Sequence, residues 1–172
     1  MNDHYLITLK ATDRPGLMHA ITGIINRKLI PIISLNAAPT DVHELVLITM
    51  ELRVSEKALP GLLLKLENII EVFSAEATNL DQALCCRSAL IKLEQAVLTS
   101  AQSSVISRWG AKILSVAGGY VLITISGNDQ FIRRVYNELD GPYLIGFCQT
   151  GLIGDNRFLA GDESSVISKL AA

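Results

Sequence analysis

"HYLITLKATDRPGLMHAITGII", residues 4–25, decides how this chain is read. Residues 4–11 alternate, with Tyr5, Ile7 and Leu9 on one side, which is the period-two pattern of a half-buried strand. From Leu17 the period changes. Leu17, Ala20, Ile21, Ile24 and Ile25 fall at i, i+3, i+4, i+7 and i+8, the stripe of one helix face. Between them stands Asp-Arg-Pro-Gly. Asp13 is a good N-cap, Pro15 fits a first turn, and Gly16 lets another group come close to the backbone. A strand therefore feeds a helix whose first N–H groups, carrying partial positive charge, open at the strand's end, a setting that suits a carboxylate. As a purely local feature, the same turn does no more than cap its own helix.

Working outward, residues 29–38 are β-branched and apolar, Ala-Pro-Thr-Asp marks a turn, and residues 45–54 form another strand-like run. Leu59, Leu62, Leu63, Leu66, Ile69 and Ile70 restore helical spacing, and residues 71–77 read as a closing strand. With Ser55 as its N-cap, this second helix meets Pro60 just past its first turn, so it starts later than the pattern or bends there. The same β-α-β-β-α-β order then repeats: a strand over 88–96, a polar-faced helix over 100–109, strands over 111–116 and 120–126 across a Gly-Gly turn, a helix over 129–139, and a strand over 143–150. Two such units predict an α+β chain of two ferredoxin-like domains, each an antiparallel sheet with both helices on one face. The boundaries expected are a domain over 1–78, a linker over 79–87, a second domain over 88–161 and a frayed tail over 162–172.

Composition narrows the class of function. At 172 residues and 49 % apolar, with mean hydropathy +0.36, the chain has ample core material. No apolar run approaches the roughly 18 residues of a membrane span, and the polar start is unlike a signal peptide. Three cysteines, two of them adjacent (Cys85 and Cys86), fit neither a disulfide framework nor a CxxC metal pattern, so a reduced cytoplasm is expected. The net charge of -2, with Lys and Arg scattered and only 5 % aromatic residues, argues against nucleic acid or membrane partners.

Catalytic signatures are absent: there is no GxSxG, HExxH, Walker loop or GxGxxG. His4, His19 and His43 are isolated, Cys148 reads as a buried inert thiol in an apolar strand, and Glu67, Glu71, Glu76 and Glu94 share no acid–base spacing. No catalytic residue and no metal ligand set is expected.

Residues 4–77, with "DRPGL" at the first helix start and "ISLNAAPT" after that helix, resemble an ACT domain, a small-molecule-sensing module that generally binds amino acids between two copies. "SLNAAPTD", "LLLKLENIIEVF", "ALIKLE" and "AKILSVAGGYVLITISGNDQFIRRVYNELDGPYLIGFCQTGLIG" run in the order and character of the regulatory (small) subunit of acetolactate synthase, which joins an ACT domain to a second ferredoxin-like domain. The resemblance implies a non-catalytic subunit that forms a homodimer through its ACT domains and activates a catalytic large subunit. It would mediate feedback by valine or another branched-chain amino acid. It implies no cofactor in this chain, with thiamine diphosphate and magnesium in the catalytic subunit. Carried over by position, the effector site is Asp13, Arg14, Gly16 and Leu17, with Pro31 and Ile32 supplied by the partner copy. The family carries Asn where this chain has Asp13 and Pro31, and Ser-Arg where it has Val46-Leu47. Those departures imply a weakened response to valine. A stand-alone amino-acid-responsive regulator of gene expression acting through a partner protein is the alternative, and a small enzyme on the same scaffold comes third.

Overall fold

The computed structural model describes residues 3–83 and 85–154, so the expected 162–172 tail lies outside the described residues. The elements are β1 (Asp3–Thr12), α1 (Leu17–Arg27), β2 (Ile32–Pro39), β3 (Leu45–Val54), α2 (Leu59–Glu67) and β4 (Val72–Asn79). They continue with β5 (Cys85–Glu94), a 3-10 turn over Gln95–Thr99, α3 (Ser103–Arg108), β6 (Lys112–Ala117), β7 (Tyr120–Gly127), α4 (Asp129–Leu139) and β8 (Leu144–Gln149). They fall into two units, one of residues 3–83 with 151–154 and one of residues 85–150.

In the first unit the strand order is β2-β3-β1-β4, all antiparallel, as the twice-repeated β-α-β-β-α-β pattern predicts. Ile7, Leu9 and Ala11 of β1 and Val46, Ile48, Met50 and Leu52 of β3 meet Leu17, Ile21 and Ile25 of α1 and Leu62 and Leu66 of α2 in one core. The helical stripe read from the sequence is the face that α1 buries. In the second unit the path is β6-β7-β5-β8. Ala89, Ile91, Leu93, Val121, Ile123 and Ile125 pack there against Val105 and Ile106 of α3 and Ile132, Val135 and Leu139 of α4. The β6–β7 hairpin turns through Gly118 (φ 61) and Gly119 (φ 82), two successive positive φ values that suit a type I′ turn.

Several local expectations are corrected. α2 is preceded by Ala58 rather than capped by Ser55, because Pro60 lacks an N–H and sits comfortably only within the first two helical positions. Ile70 follows the helix and is 94 % exposed. Ala96 belongs to the 3-10 turn rather than to a strand, and the third helix spans only Ser103–Arg108. Cys148 is exposed, since it lies on the strand face opposite the core that contains Ile91 and Leu93. β5 starts at Cys85, and Arg87 already pairs with Gly127 of β7.

α1 ends in a Schellman arrangement: the Ile30 N–H donates to the Ile25 carbonyl at 3.3 Å and the Leu29 N–H to the Asn26 carbonyl at 2.9 Å. Leu29 thus holds the left-handed position, φ 55, that glycine usually fills, with its side chain 90 % exposed.

Candidate functional site

The β1–α1 junction forms as follows. The Leu17 N–H donates to the Arg14 carbonyl at 3.2 Å, and Gly16 has φ 94 and ψ -16. That is the third position of a type II turn, with Pro15 at the second, the pairing such turns favour. Gly16 therefore precedes the helix directly, and no side chain caps it. Asp13 is not the N-cap: it lies three residues before Gly16, and its own N–H donates to the Glu44 carbonyl at 2.8 Å. The turn also consumes the Leu17 amide. Ala20 donates to the Gly16 carbonyl at 2.9 Å, leaving Met18 and His19 as the helix amides with no acceptor among the described residues. The donors that face out of this helix start lie one and two residues beyond Leu17.

Register separates the two halves of the expected effector site. Thr12, just before the turn, is opposite Leu45, and the neighbouring Val46 is opposite Pro39 at the far end of β2. Ile32 is opposite Leu52, which is opposite Tyr5 at the start of β1. Asp13, Arg14, Gly16 and Leu17 thus sit at one end of the sheet, while Pro31 and Ile32 sit at the other. The 11 residues of α1 correspond to about 16 Å of helix between them. Pro31 is exposed and precedes β2 rather than lying within it, whereas Ile32 packs against the core. β2 is an edge strand, so a proline at its entrance interrupts no ladder. Val46 and Leu47 are both buried. Near Pro31's end, desolvation first and the carboxylates of Asp3 and Glu56 next hold the Tyr5 phenol above its ordinary pKa.

Sequence reasoning missed a polar cluster on the sheet face away from the helices. Glu51 is 4 % exposed. Its Oε2 accepts from the Ser34 hydroxyl at 2.8 Å, and its Oε1 lies 2.8 Å from His4 Nε2. Residues 151–154 lie in the same unit: the Thr49 hydroxyl donates to the Leu152 carbonyl, and Leu152 is 2 % exposed. In the second unit the buried Arg87 reaches Asp129 at 3.6 Å. Asp129 also accepts from Arg133 Nε at 2.7 Å, and the Asn128 side chain caps α4 by accepting from the Phe131 N–H at 2.8 Å. These contacts fasten the start of α4 to β5. Among the described residues, no group of three or more His, Cys, Asp or Glu is placed to hold a metal ion, and no helix is long and apolar enough to cross a membrane.

No protein-family model and no curated protein matches the sequence. Among solved structures, the acetolactate synthase small subunit from Thermotoga maritima is similar over 90 % of this chain and 97 % of its own, with a TM-score of 0.80 at 18 % identity. The ACT domain of GTP pyrophosphokinase from Chlorobium tepidum covers 45 % of this chain and all of its own, with a TM-score of 0.40 at 22 % identity. The regulatory subunit of aspartate kinase from Thermus thermophilus, in a ligand-free form, covers 80 % of this chain and 91 % of its own, with a TM-score of 0.39 at 16 % identity. The chain has the fold of the Thermotoga subunit along nearly its whole length.

Proposed function

We propose that this chain is a non-catalytic regulatory subunit of acetolactate synthase, acting in the cytoplasm on a catalytic subunit that carries thiamine diphosphate and magnesium. The observation that supports this reading is the fold match across both domains, which leaves little of either chain unaccounted for. The sequence resemblance described above points the same way.

The effector is an amino acid of the branched-chain class, held between two copies. One chain keeps Gly16 and Pro31 at opposite ends of its sheet, so the two halves of the site meet only if a second copy brings its Pro31 to the first copy's helix start. The exposed β2 edge, with Ile33 45 % exposed, supports homodimerisation through the first domain. The Met18 and His19 amides would take the carboxylate, and Asp13 the ammonium group.

Reconstitution tests the proposal. The isolated chain should have no acetolactate synthase activity but should raise that of its catalytic subunit on titration. No rise in turnover, or co-purification with a transcription factor in place of that enzyme, overturns it.

A further inference from the structure

Residues 151–154 cross the face of the first sheet that the helices leave open. Ile7, Leu9, Ile48, Met50 and Leu35 pack on the helix side, so by alternation Thr8, Thr49 and Asn36 stand on the other face. Asn36 is opposite Thr49, and Thr49 is opposite Thr8. The three therefore form one row across β2, β3 and β1. The segment meets that row in chain order. A Cβ added at Gly151 would stand 3.2 Å from the Asn36 Cβ and from the backbone carbon and oxygen of Leu35. The Thr49 hydroxyl donates to the Leu152 carbonyl, and the Thr8 hydroxyl reaches the Gly154 carbonyl at 3.5 Å. Leu152 and Thr49 are each 2 % exposed, while Ile153 is 43 % exposed.

These contacts join an edge to a centre. The Gly151 contact falls on β2, an edge strand whose one ladder runs to β3, and the two hydroxyl contacts fall on the central strands β3 and β1. A segment bonded to the centre and lying against the edge gives that edge a second attachment. Glycine is what lets it lie so close, because a backbone neighbour at 3.2 Å cannot swing aside as the tip of a side chain can. Loss of the contact is felt on both sides: if the segment lifts, β2 loses it, and if β2 leaves, the segment does. A four-residue piece held by few hydrogen bonds also opens at less cost than the sheet beneath it.

We infer that residues 151–154 are a clasp that fastens the edge strand β2 to β3 and β1 from the open face, and that β2 and the clasp let go together, short of global unfolding. The firmness of β2 is thereby controlled by residues that follow the whole of 85–150 in the chain. The clasp belongs to the first unit and is independent of the acetolactate synthase reading.

Native-state hydrogen exchange on the unsubstituted chain, in urea below the unfolding transition, gives the first test. The amides of residues 151–154 and the β2 amides bonded to β3 should share one opening with one urea dependence, below that of the β1–β3 ladder. Separate openings overturn the inference. Two variants then lift the clasp at different points: Thr49→Val removes the donor at nearly constant shape, and Gly151→Val sets a side chain against the Leu35 backbone. Each should speed exchange of the clasp and of β2 in step, by about two- to tenfold for the one hydrogen bond that Thr49→Val deletes, with β4 at the opposite edge unchanged. Thr49→Ser keeps the donor and should leave both rates near those of the unsubstituted chain. A lifted clasp with unchanged β2 rates overturns the inference, and so does an equal rise at β2 and β4, which marks a general loss of stability. Where Gly151→Val fails to fold, the two Thr49 variants decide.

Discussion

The Ser34 hydroxyl donates to Glu51 Oε2 at 2.8 Å across the β2–β3 ladder, joining an edge strand to a central one through a buried carboxylate. A hydrogen bond to a charged group contributes about 1.5 to 3 kcal/mol, and the loss is felt in full when the carboxylate stays buried. Ser34→Ala should therefore lower stability by about that amount in urea denaturation, with the m-value unchanged.

Leu29 should be a site of easy stabilisation. Its left-handed backbone costs an L-residue about 1 to 2 kcal/mol, while its side chain is 90 % exposed and has little packing to lose. Leu29→Gly should raise stability by about 0.5 to 1 kcal/mol once the greater freedom of glycine in the unfolded chain is subtracted. Thermal unfolding at matched protein concentration reads the change.

Gly127 should behave in the opposite way. A Cβ there would stand 2.5 Å from Phe131 Cδ1, and Phe131 makes an edge-on contact with Trp109 at 5.6 Å between ring centroids. Gly127→Ala should destabilise the second unit by about 1 to 3 kcal/mol. Adding Phe131→Leu should recover part of that loss, and a double-mutant cycle measures the coupling.

Valine should bind the unaltered chain weakly. Pro31 supplies neither a side-chain amide nor an N–H to a ligand. A hydrogen bond to a charged group is about 1.5 to 3 kcal/mol, on the order of ten- to a hundredfold in affinity. Pro31→Asn, with Asp13 kept to hold the ammonium group, should raise valine affinity by such a factor in calorimetry. Tight binding by the unaltered chain would mean that other groups hold the ligand.

The fold was legible because it rests on periodicity. β1 and α1 switch from period two to period 3.6 within residues 4–25, and the side chains so marked are the ones that meet in the core. The location of the helix-start loop was legible too, but its hydrogen bonds were not. Asp13 has the chemistry of a cap, yet Pro15 and Gly16 commit residues 14–17 to a turn that delays the helix past its reach. The cluster of His4, Ser34 and Glu51 left no mark in the sequence. It depends on three strands being aligned to the residue, including a register shift between Ile32 and Ser34, and residues distant along the chain reveal that alignment only once paired.

The return of residues 151–154 to the first unit has a consequence for synthesis. That unit is interrupted rather than contiguous: the carbonyl that receives the Thr49 hydroxyl belongs to Leu152, made after all of residues 85–150. On a ribosome adding about 5 to 20 residues per second, β1 to β4 are finished roughly 4 to 14 s before this last piece emerges. Through that interval the Thr49 hydroxyl lacks the acceptor it has in the finished chain, and a fragment ending at residue 83 would lack it permanently.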